Sequence, residues 1–570
     1  MSAGSGERGT PPAGGGPQPA RFAALAERTV GALLELDPVA ATALGDHRYD
    51  DRLPDQSAAG VEQAIEVLAD AMLAIDQIDD EALPVGDRVD LEILRNRVSG
   101  HAFGLQTVRE HTWNPLEANP GTALHLLLAR DFAPLPDRLQ SLAGRLAAVP
   151  RALEDARDLL QDMPRVHVET AIGQFEGTHR LITTGLQEAL AADAGSAALV
   201  APVRDAAAEA VAEHVRWLRS QLDGAHRDPR LGAQTYAAKL WHTLDAETTP
   251  DQVLASAEAD LARFEGEIAR VAAAYLGEPT PPPDDAAALV RRALAAVADD
   301  AVVTDATVLP LCAAALERTA GFVRDHDLVT VHDDAVEIIE MPQIHRGVSV
   351  AYCDPPGPLE TAPLPTFFAV SPAPSDWPAD RVTSFYREYN AQMLHNLTVH
   401  EAMPGHVLQL AHSRRCADAG PVRQAFWSGP FVEGWAVYAE ALLVSRGYSS
   451  DGTDTGRLAV ALQQLKMALR MTINAILDVR VHTRGMTEDE AMRLMTVRGH
   501  QEEGEAVGKW RRALLTSTQL ATYYVGWSAV QGLAGDLQLL APEQSERARH
   551  DAMLAHGSPP PRHLRTLLGL

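Results

Sequence analysis

The stretch FAALAERTVGALLEL, residues 22–36, places apolar side chains at every third or fourth position, which is the pattern of an amphipathic α-helix. Alanine and leucine, both strong helix formers, are abundant along the chain. The same periodicity recurs in Val61–Ile75, Arg151–Met163, Ala197–Leu222, Asp251–Leu276 and Asp285–Ala298. The sequence therefore predicts a mainly α-helical protein, and since no fixed-length repeat is present, it does not predict a solenoid.

Residues 335–371 depart from this pattern. The segments VEIIEMP, GVSVAYC and TFFAV carry β-branched and aromatic residues in short runs, separated by proline-rich turns. These runs predict a small β-sheet. Helical periodicity then returns in Ser384–Leu397, Phe431–Arg446 and Arg457–Val481. The sheet is therefore expected directly before the most distinctive motif of the chain, and near any active site built there.

The chain has 570 residues, more than the roughly 250–300 that a single hydrophobic core usually serves. We expect a helical domain over residues 21–570, with possible lobes at 21–280 and 281–570 around a central cleft. The segment GEPTPPPDD, residues 277–285, is the clearest break. Residues 1–20 are rich in glycine, proline and serine and lack the apolar segment of a signal peptide, so they are expected to form a disordered tail.

Composition excludes several classes of function. The formal net charge of −28 argues against nucleic-acid binding, which needs a basic surface. No run of apolar residues is long enough to predict a membrane span. The cysteines Cys312, Cys353 and Cys416 are far apart and form no CxxC motif, which predicts neither a disulfide framework nor a thiolate metal cluster. A cytoplasmic location is therefore expected, and the oligomeric state is left open.

The segment TVHEAMPGHVLQ, residues 398–409, contains His400, Glu401 and His406. Zinc hydrolases use histidine nitrogens and a carboxylate as ligands, and a second carboxylate takes a proton from a water molecule. The two histidines are six positions apart, which on a straight helix would turn them about 240° apart. Pro404 removes a backbone donor and Gly405 permits an uncommon backbone angle, so we expect a kink or bulge that brings His406 back beside His400.

The third zinc ligand is expected from the segment FVEGWAVYAE, residues 431–440. Glu433 opens this apolar helix, 27 positions after His406. Glu440 falls near the same helical face and is expected to support His400, or a substrate amine, rather than to bind zinc. A His–Glu pair alone is usually a surface pair, so the prediction depends on the combination of the two segments. The flanking His395 and His412 are expected to be ordinary solvated or core residues.

The motifs HEAMPGH and EGWAVYAE resemble those of the bacterial domain-of-unknown-function family 885, whose members carry HExxPGH and EGWAxYxE. Three further segments are similar to that family: LDPVAATALGDHRYDDRLPD at 36–55, RMTINAILDVRVHTRGMTEDEA at 470–491 and TQLATYYVG at 518–526. The resemblance thus covers nearly the whole chain after the tail. It departs from family members at Met403, where tyrosine is common.

The resemblance implies a relationship to the gluzincin metallopeptidases, with zinc held by His400, His406 and Glu433. It also implies a large helical, two-lobed metallopeptidase-like fold. The motif is two residues longer than the HExxH of those enzymes. Within the matching segments, Tyr523 or His482 could stabilise an oxyanion, although a buried structural role is the alternative for each.

Two further residues in the same segments are candidates for binding substrate. Arg470 could hold a substrate carboxylate through two parallel hydrogen bonds. Tyr524, next to Tyr523, could also contact substrate. Each has a purely structural role as its alternative.

The sequence therefore predicts a zinc-dependent hydrolase that cleaves peptide or small-molecule amide bonds, with Glu401 as the general base. Two alternatives remain: a zinc enzyme acting on one specialised small metabolite, and a catalytically inactive helical binding protein. The sequence contains no GxSxG motif and no cysteine in a recognisable catalytic setting, which argues against nucleophilic hydrolases. The cleavage mode is not predicted.

Overall fold

The computed structural model describes residues 18–280, 282–300, 302–342, 350–374, 377–416 and 419–570. Within these ranges the protein is mainly α-helical with one small sheet, as predicted. Of the predicted disordered tail, residues 1–17 lie outside the described residues, whereas residues 18–20 already belong to the first helix. That helix begins earlier than predicted because Phe22 and Leu25 are buried and hold its first turns against the core.

Within the described residues, thirteen α-helices precede the sheet, apart from short 3₁₀ and π-helical turns. They are α1 Gln18–Leu36, α2 Pro38–Leu44, α3 Ala58–Ile75, α4 Val85–Phe103, α5 Gly121–Ala129, α6 Leu135–Leu159, α7 Arg165–Arg180, α8 Gln187–Ala192, α9 Ala194–Gln221, α10 Ala233–Leu244, α11 Pro250–Leu276, α12 Pro283–Asp300 and α13 Val308–Asp325.

The sheet and the second group of helices follow. They are β1 Val336–Glu340, β2 Ala351–Asp354, β3 Thr366–Val370, α14 Ala379–Glu388, α15 Ala391–Glu401, α16 His406–Arg414, α17 Pro421–Ala425, α18 Gly429–Ser445, α19 Asp454–Arg484, α20 Glu488–Arg493, α21 Glu503–Leu515, α22 Ala521–Leu540, α23 Glu546–Leu554 and α24 Pro561–Leu567. Among the described helices, none combines the length and apolar character that crossing a bilayer requires.

Helix α11 shows how the local sequence sets the helix ends. Thr249 and Gln252 form a reciprocal capping box at its start, which satisfies two otherwise unpaired backbone N–H groups. Gly277 ends it with a φ of 67°, a left-handed angle that glycine adopts at little cost. The break predicted at residues 277–285 therefore coincides with the end of α11 and the start of α12, and residue 281 lies outside the described residues.

The hydrophobic cores do not divide the chain at residue 280, the expected boundary between lobes. The apolar stripe of α11, which includes Leu261 and Ile268, packs along α19 in the same core as α12 and α22. Helices α5 to α9 form a separate core. Segments on both sides of residue 280 therefore share one core, because the apolar stripe of α11 is buried against a helix far along the chain.

The small sheet lies beside α13 and α15. Its strand order is β1–β3–β2, with β1 parallel and β2 antiparallel to β3. Phe368 and Val370 of β3 are fully buried in a core shared with Met393 and Leu394 of α15. The three predicted strand runs are confirmed, although residues 347–349 of the GVSVAYC run lie outside the described residues. This packing places the edge strand β2 next to the end of α15.

Helices α18 and α22 cross with their backbones in direct contact. A Cβ atom on Gly434 would lie 2.3 Å from the carbonyl carbon of Gly526, and a Cβ on Gly526 would lie 2.0 Å from the carbonyl oxygen of Pro430. Only glycine fits at either position. The crossing sets the distance between Glu433 on α18 and Tyr523 on α22, so it also determines the geometry of any site that these residues share.

We predict that Gly526→Ala lowers the free energy of unfolding by about 1–3 kcal/mol or more, because the new methyl group overlaps backbone that cannot move aside. The matched control is Gly532→Ala on the same helix, where a Cβ would meet no atom of the described residues within 4 Å. That change should leave stability unaltered or raise it by about 0.5–1 kcal/mol. Chemical denaturation of both variants checks this, and equal effects would contradict it.

Candidate metal centre

The chain between His400 and His406 is a break between two helices rather than a kink in one. Helix α15 ends at Glu401 and α16 begins at His406. The N–H groups of Ala402 and Met403 both donate to the carbonyl of Thr398, at 2.9 and 3.0 Å, and the Met403–Pro404 peptide is cis. The two imidazole rings end up with their centroids 4.8 Å apart. The break thus brings the two histidines together, as expected from the proline and glycine.

Gly405 is required for a different reason from the one expected. A Cβ at this position would lie 1.8 Å from the carbonyl oxygen of His400 and 2.3 Å from that of Val399. Its φ is −74°, so a left-handed angle is not involved. Its N–H donates to the carbonyl of Val399 at 2.9 Å. Close backbone contact therefore excludes any side chain here.

Glu433 comes to the two histidines from α18. Its Oε2 lies 3.5 Å from Nε2 of His400 and 3.6 Å from Nε2 of His406. This oxygen is buried and has no hydrogen-bond partner among the described residues. One ligand atom from each of the three residues lies within 4.8 Å of the others. Two ligands about 2.0–2.1 Å from a tetrahedral zinc lie about 3.3 Å apart, so the three residues fit a zinc ion.

Glu440 supports His400 rather than joining the ligand set. Its Oε1 lies 2.7 Å from Nδ1 of His400, and its Oε2 accepts a hydrogen bond from Nδ2 of Asn396, also at 2.7 Å. The carboxylate is almost completely buried. This contact leaves Nε2 of His400 free to face the metal position, which is how carboxylates orient histidine ligands. It matches the first of the two roles expected for Glu440.

Electrostatics couples these groups. Burial lowers the pKa of His400, but the nearby carboxylates of Glu433 and Glu440 outweigh burial and raise it well above its usual value. Burial raises the pKa of Glu433, yet the two imidazoles hold it well below its ordinary range. The site therefore attracts positive charge strongly, as a cation site must.

Glu401 lies beside this group and faces the sheet. Its Oε2 accepts a hydrogen bond from the backbone N–H of Cys353 on β2, at 3.0 Å. Burial raises its pKa, an effect that His400 and His406 partly oppose. A raised pKa makes the carboxylate a better proton acceptor near neutral pH. The sheet thus holds in place the residue predicted to be the general base.

Tyr523 is brought to the same site from the first turn of α22. Its hydroxyl lies 3.4 Å from Nη2 of Arg512 and 3.5 Å from Nε2 of Gln519. The negative charge of Glu433 is the largest influence on the pKa of Tyr523, which is raised. Tyr523 therefore lies close enough to Glu433 for their charges to interact, and its role stays a prediction.

Tyr524 and His482 are not brought to the site. The hydroxyl of Tyr524 donates to Oδ2 of Asp260 on α11 at 2.7 Å. His482 is buried, its Nε2 donates to the carbonyl of Thr516 at 2.9 Å, and its Nδ1 accepts the N–H of Leu231. Burial lowers the pKa of His482 to about 4. Because backbone groups occupy both ring nitrogens, His482 cannot hold an oxyanion, and the expectation for it is corrected.

Arg470 is paired within the protein. Its guanidinium forms an ion pair with Glu505 and lies 3.4 Å from the hydroxyl of Tyr389. A carboxylate of the chain thus takes the place expected for a substrate carboxylate. The flanking histidines are structural, as predicted: His395 contacts Tyr448 and His412 contacts the carbonyl of Thr330.

The sequence reasoning missed several residues that support the site. Trp435 is fully buried and its Nε1 donates to the carbonyl of Pro404 at 2.8 Å. Asn396, four residues before His400, was detectable from helical spacing, because residues four apart share a face. Cys353 had no sequence signal, since it contributes only its backbone N–H.

Glu433 also reaches a cavity. Together with Gln519 and Thr522 it lines one end of a space of about 860 Å³ that extends to Ile93 and Arg97 of α4. This volume is in the range of small-molecule pockets. A ligand bound there would therefore extend from the metal-ligand candidates toward the N-terminal helices.

Residues 38–568 match the protein family described as "Bacterial protein of unknown function (DUF885)". A solved structure from Shewanella oneidensis, described as "a putative lipoprotein of unknown function", is 28% identical with a TM-score of 0.81, covering 96% of this chain and 100% of that one. A "putative lipoprotein" from Colwellia psychrerythraea has a TM-score of 0.79 at 15% identity, covering 97% and 98% of the two chains, which shows a shared fold alone. No curated protein matches the chain.

We predict that Glu440→Gln weakens zinc binding by about 10–100-fold without unfolding the protein, because the charge that orients His400 is lost while the shape is kept. Competition with a chelator of known affinity measures the effect. The control is Glu546→Gln, which removes a carboxylate paired with Arg446 away from the site and should leave zinc affinity unchanged. Unaltered affinity in Glu440→Gln would show that His400 is oriented without this contact.

Proposed function

The chain belongs to the DUF885 family of bacterial proteins of unknown function, and we propose that it is a zinc-dependent hydrolase of peptide or other amide bonds. The observation that carries the proposal is the buried, unpartnered Oε2 of Glu433, which lies 3.5 and 3.6 Å from two imidazole nitrogens. Two histidines and a glutamate form the ligand set of gluzincin-type peptidases and leave a fourth position for water. His400, His406 and Glu433 would hold the ion.

A zinc ion bound there would acidify a water molecule and polarise the substrate carbonyl. Glu401 would take up the proton of the attacking water and later deliver it to the leaving amine. One of its oxygens already accepts the N–H of Cys353, which holds the carboxylate while the other oxygen serves the reaction. Its buried setting and raised pKa favour proton uptake.

Tyr523 would donate a hydrogen bond to the carbonyl oxygen as negative charge develops on it. Gln519 and Arg512 contact the same hydroxyl and so restrict its position. The phenol must remain protonated to act in this way, and the raised pKa of Tyr523 keeps it protonated at neutral pH. The site would then contain separate groups for the water and for the oxyanion.

Glu401 and Tyr523 together support an enzyme over an inactive binding protein, because a site that only bound zinc would need neither. An enzyme dedicated to one small metabolite would use the same groups, and a peptide library read by mass spectrometry distinguishes it from a general peptidase. We propose a cytoplasmic location from the cysteine pattern; the lipoprotein descriptions belong to the two similar structures.

We predict that replacing Glu433 or Glu401 with glutamine has opposite effects on the zinc content of the protein. Glu433→Gln should lose zinc, because a neutral amide replaces a ligand carboxylate. Glu401→Gln should keep zinc and lose amide hydrolysis by about 10²–10⁴-fold, because glutamine cannot take up a proton. Metal analysis and cleavage of a peptide library measure both. Full turnover in Glu401→Gln, or full zinc occupancy in Glu433→Gln, would contradict the assignment.

We predict that two adjacent tyrosines respond differently to the same change. Tyr523→Phe should lower kcat by about 10²–10³-fold with little effect on KM, because the oxyanion loses a donor. Tyr524→Phe should keep kcat and lose up to about 1.5 kcal/mol of stability, because only the hydrogen bond to Asp260 is removed. Steady-state kinetics and thermal unfolding of both proteins check this. Equal kcat values would exclude Tyr523 from the reaction.

A further inference from the structure

Helix α21 carries two cationic side chains, Lys509 and Arg512, that form no ion pair with any described residue. Lys509 is 5% exposed and forms no hydrogen bond or ion pair with any described residue. Arg512 lies three residues further on, which places both on one face of the helix, about 5–6 Å apart at Cβ. The contacts of Arg512 are with neutral groups: Oε1 of Gln519 at 2.8 Å and the hydroxyl of Tyr523 at 3.4 Å.

The one carboxylate that influences Lys509 is already engaged. Glu505 forms an ion pair with Arg470. Burial and the charge of Arg470 lower the pKa of Lys509 well below its usual value, and Glu505 only partly opposes them. Glu505 is thus already paired with Arg470, and Lys466, which also acts on it, is paired with Glu388, so Lys509 has no carboxylate of its own. This surplus of positive charge stands out in a chain whose net charge is −28.

Such an arrangement is unfavourable in the free protein. A buried ammonium without an ion-pair partner loses its hydration, and the charge of Glu505 offsets that loss only in part. Two like charges three residues apart on a helix also repel each other. An anion that binds between them would relieve both penalties. The surplus charge is also close to the proposed metal centre, because Arg512 donates to Gln519, which lines the same cavity as Glu433.

We propose that Lys509 and Arg512 bind a carboxylate of the substrate on the Tyr523 side of the metal centre, so that the enzyme prefers peptides or amides ending in a free carboxylate. This inference rests on the proposed hydrolase function. Arg512 lies 3.4 Å from the hydroxyl that would contact the scissile carbonyl, and a residue spans about 3.5 Å. The carboxylate therefore belongs within about two residues of the bond that is cleaved.

Lys509 and Arg512, rather than Arg470, are therefore the residues expected to bind the substrate carboxylate. Glu505 occupies the guanidinium of Arg470. Arg512, by contrast, still has unused N–H donors, and the ammonium of Lys509 donates to no described residue. A guanidinium can hold a carboxylate through two parallel hydrogen bonds, and an ammonium adds a compact charge beside it. Together they would recognise a carboxylate and reject a neutral amide of the same shape.

The test uses a mixture of tetrapeptides of varied sequence, prepared as free acids and as C-terminal amides. Binding is measured on the full-length, zinc-loaded Glu401→Gln protein by ultrafiltration and mass spectrometry of the retained peptides. Cleavage by the unsubstituted protein is measured in parallel. We expect the acids to be retained about tenfold or more over the amides, since a charged hydrogen bond of about 1.5 kcal/mol corresponds to that factor.

Lys509→Met and Arg512→Met, each in the Glu401→Gln background, should abolish the preference for acids. The matched control is Arg511→Met, which removes the same charge from the adjacent position, where the guanidinium contacts Thr170 on α7. It should keep the preference. Lys509→Met should also unfold at the same temperature as its parent or a higher one, because it removes an unpaired buried charge. A clear loss of stability would show that Lys509 has a structural partner and would overturn the proposal.

The binding and cleavage measurements distinguish the proposed carboxylate subsite from the proposed hydrolase function. Equal retention of acids and amides, or retention of neither, overturns the carboxylate subsite, and cleavage of both forms would then leave the hydrolase standing. Selective retention of acids without any cleavage supports the subsite and counts against the hydrolase. Selective retention together with preferential cleavage of acids supports both.

Discussion

The hydrogen bond from the indole of Trp435 to the carbonyl of Pro404 joins the two chain segments that supply the metal-ligand candidates. One segment is the break between α15 and α16, which places His400 beside His406. The other is α18, which carries Glu433 two residues before the tryptophan. Because Trp435 is fully buried, its N–H must find a partner inside the protein. The bond thereby sets the position of α18 against the break, and with it the place of Glu433.

Each reactive group of the site is held from a different direction. Helix α18 supplies Glu440, which orients His400 and is itself held by Asn396. The sheet supplies the backbone N–H of Cys353, which holds Glu401. Side chains fixed by several elements lose little freedom when a ligand binds, so such a site is organised before substrate arrives. The close crossing of α18 and α22 at Gly434 and Gly526 adds Tyr523 to the same arrangement.

The charge around the site also differs from the net negative charge of the whole chain. The chain carries 77 acidic and 49 basic residues, yet Lys509 and Arg512 of α21 form no ion pair with a described residue, and Arg512 contacts Tyr523. Around the metal position, by contrast, carboxylates prevail and favour a cation. A substrate with a polarised carbonyl and a nearby carboxylate would match both regions at once.

What the sequence determined by itself depends on residues close together in the chain. Periodicity predicted the helices, short apolar runs predicted the three strands, and the proline and glycine between His400 and His406 predicted the break that unites them. Glu433 and Glu440 could be identified because their spacing places them near one helical face. The cluster of His400, His406 and Glu433 was predictable because its members lie in two short segments, and its role as a ligand set stays a prediction.

Tertiary packing alone decided where the remaining side chains point. Tyr523 and Tyr524 are adjacent, but the hydroxyl of Tyr524 donates to Asp260 on α11, whereas that of Tyr523 contacts Arg512. His482 was a reasonable candidate from the sequence, but in the structure its Nδ1 accepts the N–H of Leu231, 251 residues away in the sequence. Arg470 likewise forms an ion pair with Glu505, which balances its positive charge. Periodicity describes how a helix exposes its faces but not which distant group packs against each one, so these roles follow from the folded structure alone.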